Sequence, residues 1–542
     1  MDENLLYYCL HSLGFGAGIL LAARRLMHYY QLESYQFHGY FQTIGRQIKR
    51  AIDPCLLLGF IYFIIFTSFC LIVGPVKGNT HIYIVLSLVA SALYGIAGWL
   101  VRRSGMKQKE KKPFAMTARM KRLYVMLALL LILLPLTVYL LSHGELIFLG
   151  VYGCLAACFL PYLVALAGLL ALPIERLIFH LYFRDAEKKL LENPRLIRIG
   201  ITGSYGKTST KFILAEILSQ KYNVLATPAS FNTPMGVTRI IRERLTPAHQ
   251  VFIGEMGARH VGEIKELSRL VHPTIGILTA VGPQHLDTFK TLERIEKTKY
   301  ELIDALPADG LGVFLNDDGI VYKLYEKTGK SKMLAGKEGA DAWATDVSVS
   351  PQGSHFTLHL RDWEPFECTT PLLGRHNIGN ILAACCVAKH LGLNREQIRR
   401  GIQQLKPVEH RLQLLKTAGG VTVIDDAFNT NPTSSKEALK VLSSFPGRRV
   451  IVTPGMVELG AEETRYNEEF GQAMAGAVDV AVLVGRKHTE PIQKGLKESG
   501  FPADSIHVAA SLDEAITIVN GILRPGDVVM YENDLPDHYN EE

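Results

Sequence analysis

Hydrophobic and polar positions divide the chain into two regimes. Before about residue 173 apolar residues come in long runs; after about 195 they come in short bursts between polar turns. Five runs, near 5–23, 54–74, 81–101, 123–141 and 146–172, reach or approach the length of about 20 residues that a bilayer-crossing helix needs. They predict an α-helical membrane domain over 1–173. Residues 174–195 mix apolar positions with Glu175, Arg176, Arg184, Asp185, Glu187, Lys188 and Lys189, and are expected to form an amphipathic helical linker.

From residue 196 the pattern changes to β and α in alternation. Apolar bursts at 196–201, 222–227, 251–255, 274–281 and 312–316 are separated by helical patterns, which predicts a mostly parallel, doubly wound sheet. Residues 341–370 carry short alternating stretches, such as Ser354-His-Phe-Thr-Leu-His-Leu, and predict an antiparallel hairpin region. Further bursts at 420–425, 449–454, 478–485 and 527–531 predict a second, Rossmann-like α/β domain after a boundary near Pro407. The expected architecture is multi-domain: membrane helices over 1–173, a linker over 174–195, a P-loop α/β domain over 196–405 and a C-terminal α/β domain over 406–542.

Charge refines this picture. The connection after the first run carries Arg24, Arg25, Arg46, Lys49 and Arg50. The connection after the third carries Arg102, Arg103, Lys107, Lys109, Lys111, Lys112, Arg119, Lys121 and Arg122. The other connections are nearly uncharged, apart from Lys77, and the chain starts with Asp2 and Glu3. Basic loops stay on the cytoplasmic side. The expectation is a multi-pass protein of the inner, cytoplasmic membrane, N-terminus outside and both α/β domains in the cytoplasm. A cleaved signal peptide is not expected, because the start lacks a basic region. The net charge of +6 belongs to these loops, so membrane lipid, and no nucleic acid, is the expected partner. Apart from His11, no span carries an ionisable residue of the relay type, which argues against a transport path. The eight cysteines form no C-x-x-C pair, so neither a zinc ribbon nor a disulfide framework is expected.

The candidate chemistry centres on Gly203-Ser-Tyr-Gly-Lys-Thr208, between a strand and a helix. A glycine-bracketed turn at a helix N-terminus offers backbone N–H groups and the helix dipole to an anion. Gly203, Ser204, Gly206, Lys207, Thr208 and Ser209 are the expected phosphate-binding residues. Lys207 is placed to reach the β- and γ-phosphates, and Thr208 to bind Mg²⁺. Glu255 ends a strand, where a carboxylate can hold Mg²⁺ beside the phosphates. His285 follows the next strand and is either a metal ligand or a surface histidine.

The words 200–211, Phe231-Asn-Thr-Pro-Met-Gly, Glu255-Met-Gly-Ala, Gly282-Pro-Gln-His-Leu, Lys299-Tyr-Glu, Gly374-Arg-His-Asn, Asp425-Asp-Ala-Phe-Asn-Thr-Asn-Pro and Glu458-Leu-Gly run in this order. In them the chain from about 195 resembles the Mur ligases, the ATP-dependent amide-bond ligases of cell-wall synthesis, and most of all the branch that adds D-alanyl-D-alanine. The resemblance implies ATP and Mg²⁺ as cofactors. It implies that Lys207 and Thr208 hold phosphate and Mg²⁺, that Glu255 binds Mg²⁺, and that His285 serves a second Mg²⁺. Lys299 would be carbamylated and so become a metal-binding anion. Asn377 and Asn380 would lie near adenine, Arg411 near the phosphates, and Asp425 or Asp426 at the ribose. Lys207, His285 and Lys299 are the implied catalytic residues. The implied reaction joins an amino acid or dipeptide to a carboxylate through an acyl phosphate.

Three departures stand out. Five membrane spans stand where the family's UDP-sugar-gripping domain lies. Tyr531-Glu-Asn-Asp-Leu-Pro-Asp-His538 replaces a Lys-Gly-Ser-Arg stretch, and Phe428 replaces a usual tyrosine. They lead to the expectation of a membrane-associated acyl substrate, lipid-linked or polymeric. The alternative reading is a membrane-fused P-loop ATPase serving transport or export. A regulator without catalysis is disfavoured by the intact Lys207, Glu255, His285 and Lys299.

Overall fold

The computed structural model describes residues 3–73, 80–105, 113–143, 145–316, 318–416, 419–428 and 430–535. Asp2, Lys77, Lys107, Lys109, Lys111, Lys112, Asn429 and the end of the acidic stretch, including Asp537 and His538, lie outside them. The chain divides into two compact units, the division falling between Ile178 and Phe179.

The first unit is helical: α1 (Glu3–Ala22), α2 (Arg24–Leu32), α3 (Phe37–Arg46), α4 (Ile48–Val73), α5 (Thr80–Gly105), α6 (Ala118–Leu141), α7 (Leu146–Cys158) and the start of α8 (Leu160–Leu191). Five of these, α1, α4, α5, α6 and α8, are long and apolar enough to cross a membrane. The run 146–172, expected as one span, is two helices that part at Phe159. The reason is Pro161: it has no N–H to donate and its ring clashes with a continuing turn, so it starts a new helix rather than extending α7. At about 1.5 Å per residue the 13-residue α7 is about 20 Å long, short of a bilayer core. The basic connection 24–50 also folds, as α2 and α3, with Leu26, Met27, Tyr30 and Tyr40 buried.

Helices α1 and α5 pack through small residues. A Cβ built on Gly98 would lie 2.0 Å from the Gly18 carbonyl oxygen, and one on Gly14 would lie 2.6 Å from Ser91 Cα; only glycine lets the two backbones come this close. Glu175 on α8 accepts two hydrogen bonds from Arg122 (2.5 and 2.9 Å) and lies 3.6 Å from Arg119. These contacts bring α8 back to the first turns of α6.

The second unit holds two sheets. The larger contains β1 (Ile197–Thr202), β2 (Val224–Ala226), β3 (Val251–Glu255), β4 (Ile275–Leu278), β5 (Leu311–Leu315), β6 (Ser331–Ala335), β7 (Ala342–Ser350), β8 (Gly353–Leu360) and β9 (Phe366–Thr370). Their order is β2-β3-β1-β4-β5-β6-β7-β8-β9. The first six are parallel, and β7, β8 and β9 are antiparallel neighbours. Strands β1, β3 and β4 are buried almost throughout, as expected of strands covered on both faces. The covering helices are α9 (Lys207–Leu218), α10 (Pro234–Arg244), α11 (Glu263–Val271), the one-turn α12 (Leu286–Phe289), α13 (Leu292–Asp304), α14 (Ile320–Lys327) and α15 (Arg375–His390).

The smaller sheet has the order β10 (Gln413–Lys416), β11 (Thr422–Asp426), β15 (Val528–Glu532), β12 (Arg449–Thr453), β13 (Val480–Val484) and β14 (Ile506–Ala509). All its pairings are parallel except that of the edge strand β10.

Candidate active site

Strand β1 lies between β3 and β4. The chain leaves it toward one side and returns to the other, and a crevice opens at such a switch point, beyond the carboxyl ends of the strands. The loop 203–206 fills it. Gly203 has φ 153°, and a Cβ there would lie 2.1 Å from Thr279 Oγ1. Gly206 has φ 80°, and a Cβ there would lie 2.9 Å from Asn380 Oδ1. Glycine is required at both positions by the close approach and by the left-handed backbone. The Ser204 N–H donates to the Ala280 carbonyl (2.7 Å) and its hydroxyl to the Gly282 carbonyl (2.9 Å); both groups serve to hold the loop on the end of β4.

Lys207 opens α9 and folds back, donating from Nζ to the carbonyls of Gly203 (2.7 Å) and Ser204 (3.2 Å). Burial pushes its ammonium down to about 8, against the pull of Glu255. Thr208, one residue on, donates from Oγ1 to Glu255 Oε1 (3.1 Å). Glu255 is 1% exposed. It also accepts from Asn232 Nδ2 at Oε1 (3.0 Å) and from Lys211 Nζ at Oε2 (2.9 Å). Burial alone would raise this carboxyl, but Lys211 and Lys207 outweigh it, and its pKa lies below the usual value. Lys211 itself is fully buried and donates also to the Ala229 carbonyl.

Lys299 projects from α13 and is 1% exposed. Burial first, and then the charge of Lys207, holds its amine far below the ordinary lysine range. His285 has a left-handed backbone, φ 51°, and its Nδ1 lies 2.5 Å from Glu458 Oε2. Glu458 comes from the C-terminal domain, also has positive φ (65°), and pairs through Oε1 with Arg259 at 3.1 Å.

A cavity of about 490 Å³ opens beside the loop, within the range of small-molecule sites. Gly206 and Ser209 line it from α9 and its loop, Asn377 and Asn380 from α15, and Arg411 and Asp426 from the C-terminal domain. Asn380 Oδ1 accepts from Thr210 Oγ1 (3.1 Å) and its Nδ2 donates to Asn377 Oδ1 (3.3 Å), which ties α15 to α9. The Arg411 guanidinium stacks on Phe428, 4.1 Å from the ring centre. Asp426 accepts from the Leu412 N–H (3.1 Å), and burial pushes its carboxyl up to about 7. Asp425 accepts from the Ala427 N–H at Oδ1 (3.1 Å), and its Oδ2 pairs with His410 (2.8 Å). The two acids named together in the sequence therefore part: Asp426 is among the cavity's lining residues and Asp425 is engaged elsewhere.

The residues present fit the groups that the loop implies. The cavity gives a nucleotide room beside the glycine turn. The Thr208 hydroxyl and Glu255 carboxylate, 3.1 Å apart, are the hard oxygen donors that Mg²⁺ takes. Among the described residues no group of three or more His, Cys, Asp or Glu side chains is arranged to hold a metal ion; the expected set is of another kind, one carboxylate, one imidazole, a hydroxyl and a lysine.

A phosphate loop at the head of a parallel sheet, facing a cavity that a second α/β domain lines, defines a two-domain nucleotide-using enzyme. Comparison narrows the class. Residues 201–388 match the Mur ligase middle domain, and 410–531 match the Mur ligase glutamate ligase domain. The UDP-N-acetylmuramoyl-tripeptide–D-alanyl-D-alanine ligase of Mycobacterium tuberculosis H37Rv is 35% identical over 355 residues, 61% of this chain and 69% of that one. The Bacillus subtilis ligase of the same name is 29% identical over 337 residues, 62% and 72% of the two chains. MurF from Acinetobacter baumannii superposes with a TM-score of 0.60 at 28% identity, over 66% of this chain and 78% of that one. MurF from Thermotoga maritima, solved in complex with ADP, gives 0.60 at 26% identity, over 66% and 80%. The chain belongs to the Mur ligase family, and is an ATP-dependent, amide-bond-forming ligase that uses Mg²⁺.

Sequence reasoning quoted Lys211, Asn232 and Glu458 inside motif words but gave them no role. All three hold a site residue: Lys211 and Asn232 bind Glu255, and Glu458 binds His285. The available signal for Lys211 was its place on the buried face of α9, where a lysine needs a partner.

Proposed function

We propose that this ligase joins D-alanyl-D-alanine, or a related amino acid or dipeptide, to the carboxylate of a membrane-associated cell-wall precursor. Peptide ligation in peptidoglycan synthesis is what its MurF-type relatives support. The observation that carries the reading is the loop Gly203–Thr208 with Glu255 behind it, beside a cavity that Arg411 and Asp426 line.

In the proposed reaction the acceptor carboxylate attacks the γ-phosphate of ATP, giving an acyl phosphate and ADP; the amine then attacks the acyl carbon and phosphate leaves. Bound Mg²⁺ supplies charge neutralisation between the anions. Thr208 and Glu255 are the proposed holders of that ion, and Lys211 and Asn232 orient Glu255. Lys207 exchanges its two loop carbonyls for phosphate oxygens. The depressed pKa of Lys299 supports a neutral amine, the form that adds CO₂ to give a carbamate and a proton. His285, held at Nδ1 by Glu458, keeps Nε2 for a second ion. Asn377, Asn380 and Asp426 are the proposed adenine and ribose contacts, with Asp426 preferred to Asp425. Closing the two domains excludes water from the acyl phosphate.

Five apolar helices precede the family match and support membrane insertion. We propose that the α/β domains lie on the cytoplasmic side of that membrane; the pairing of Glu175 with Arg119 and Arg122 supports this, because it brings α8 to the basic end of α6 whether or not α7 crosses the bilayer. No observation favours the transport-ATPase reading. The test is phosphate release by the purified full-length protein with D-alanyl-D-alanine and either soluble UDP-muramoyl-tripeptide or its lipid-linked form. Preference for the lipid-linked acceptor is expected. Turnover of the soluble one at rates normal for the family refutes the membrane substrate.

A further inference from the structure

Side-chain contacts set the depth of each helix in the first unit. Helices α1 and α4 run antiparallel: His11 lies by Phe69 (ring centres 4.4 Å apart) and Phe15 by Tyr62 (5.1 Å). Helices α4 and α7 do the same. A Cβ on Gly150 would meet the Phe66 ring, and one on Gly59 would meet Cys158 Sγ and lie 3.0 Å from the Cys154 carbonyl oxygen. Helix α7 therefore runs parallel to α1 and stops near the level where α1 ends. Helix α6 is antiparallel to α1, with Tyr8 by Tyr139 (4.9 Å) and Gly16 by Leu131. Its start, at Arg119 and Arg122, lies at that same level, and Arg119 sits over the ring of Tyr35 (4.1 Å), in the turn between α2 and α3.

Helix α8 begins at this level and does not leave it. The Tyr40 hydroxyl donates to the Pro161 carbonyl (3.0 Å). A Cβ on Gly168 would lie 2.5 Å from Tyr30 Oη. Glu175 accepts from Arg122. These contacts recur every two turns of α8, and their partners all belong to the connection 24–50 or to the first turns of α6. A helix crossing the bilayer from Leu160 would carry Glu175 about 22 Å along the membrane normal. Glu175 stands instead at the end where α8 started. The opposite face of α8 is apolar and exposed: Tyr162, Leu166, Leu169, Leu170, Ile174 and Leu177, three or four residues apart, form one stripe. At its start Tyr162 meets Phe41 of α3 (5.7 Å) and Phe159 (6.1 Å), all three exposed. Exposed aromatic rings, tyrosine among them, gather at the headgroup level.

We infer that α7 makes the fifth crossing, and that α8 from Leu160 to Leu177 lies along the inner membrane surface with its exposed stripe in the lipid. The stripe fits the acyl chains just beneath the headgroups, to a depth of about 5–10 Å. Helix α7, with 13 residues, is shorter than the hydrocarbon core, and the bilayer thins locally to meet it. The inference rests on the membrane insertion and orientation proposed above.

The experiment uses the full-length protein in nanodiscs of phosphatidylglycerol and phosphatidylcholine, with the exposed native Cys9 and Cys70 replaced by alanine. Spin labels on single introduced cysteines report depth through collisions with oxygen and with a water-soluble nickel chelate. Tyr162→Cys, Leu169→Cys and Leu177→Cys should read one shallow depth, agreeing within about 5 Å. A gradient of about 20 Å along them, the signature of a crossing helix, overturns the inference. Ile147→Cys, Val151→Cys and Leu155→Cys on the exposed side of α7 should be deepest at Val151; three shallow labels overturn it too. Leu88→Cys and Ile96→Cys, exposed on α5, read insertion itself. Lipid depth there beside a gradient along α8 overturns this inference alone, whereas no lipid depth there overturns the membrane reading with it. A second arm needs no label. Leu169→Lys should leave the yield of inserted protein unchanged, because a lysine at the interface reaches the headgroups. Ile132→Lys, exposed at mid-height of α6, should lower it; equal losses overturn the inference.

Discussion

The buried pair Lys211–Glu255 offers the sharpest test of how the site is built. Lys211 is fully buried, Glu255 is 1% exposed, and their charged atoms lie 2.9 Å apart. Lys211→Met keeps the length and the packing but removes the charge. Glu255 then stays buried with Thr208, Asn232 and the more distant Lys207 as its support. Removing one partner of a buried pair costs about 3–5 kcal/mol, because the other charge is left uncompensated. Over the roughly 340 residues of the two α/β domains that loss corresponds to a fall in Tm of about 4–7 °C. The assay is scanning calorimetry of the nucleotide-free protein, with Glu255→Gln and the double variant completing a cycle. The double variant should recover part of the loss, with a coupling energy above about 1.5 kcal/mol. A Tm within 1 °C of wild type for Lys211→Met, or strictly additive losses, refutes the reasoning.

Lys207→Ala should abolish phosphate release from ATP while leaving Tm within about 2 °C, since its partners are only loop carbonyls; persistent release means the phosphate site is elsewhere. Glu458→Ala should raise the Mg²⁺ concentration for half-maximal turnover about 10- to 100-fold, the usual effect of losing a group that orients a metal-binding histidine, while ATP binding measured by calorimetry stays nearly constant. Burial pushes the Glu532 carboxyl from 4.5 up to about 8, so the native state holds a proton that the unfolded chain releases. Its contribution is harmless below pH 4.5, and stability is lost as pH rises from there toward 8. Glu532→Gln keeps an acceptor for the Thr453 hydroxyl, which donates to Glu532 at 2.6 Å. That variant should therefore melt higher than wild type at pH 9 and nearly the same at pH 5; a constant difference across that range refutes the assignment.

Much of the frame was legible because its causes are local. A glycine-bracketed turn between a strand and a helix needs only neighbouring residues to form, so Gly203, Gly206, Lys207 and Thr208 could be placed from their spacing. Apolar runs long enough to span a bilayer are equally local, and so are the short alternating stretches within 341–370 that become the antiparallel β7, β8 and β9. The break at Phe159 was local too, and was missed because the run was read for hydropathy alone and not for Pro161.

The sequence by itself determined the two regimes of the chain, the phosphate loop and the carboxylate at the end of β3. Tertiary structure decided what those groups touch. Glu255 meets Lys211 across 44 residues because β3 lies beside β1 in the sheet, which carries its end to the first turns of α9. Asn380 meets Thr210 across 170 residues, and Glu458 meets His285 across 173. No periodicity encodes such pairs: strand order and the docking of one domain on another set them. The separation of Asp426 from Asp425 has the same origin, since adjacent residues on a strand point to opposite faces, and only the packed sheet shows which face meets the cavity.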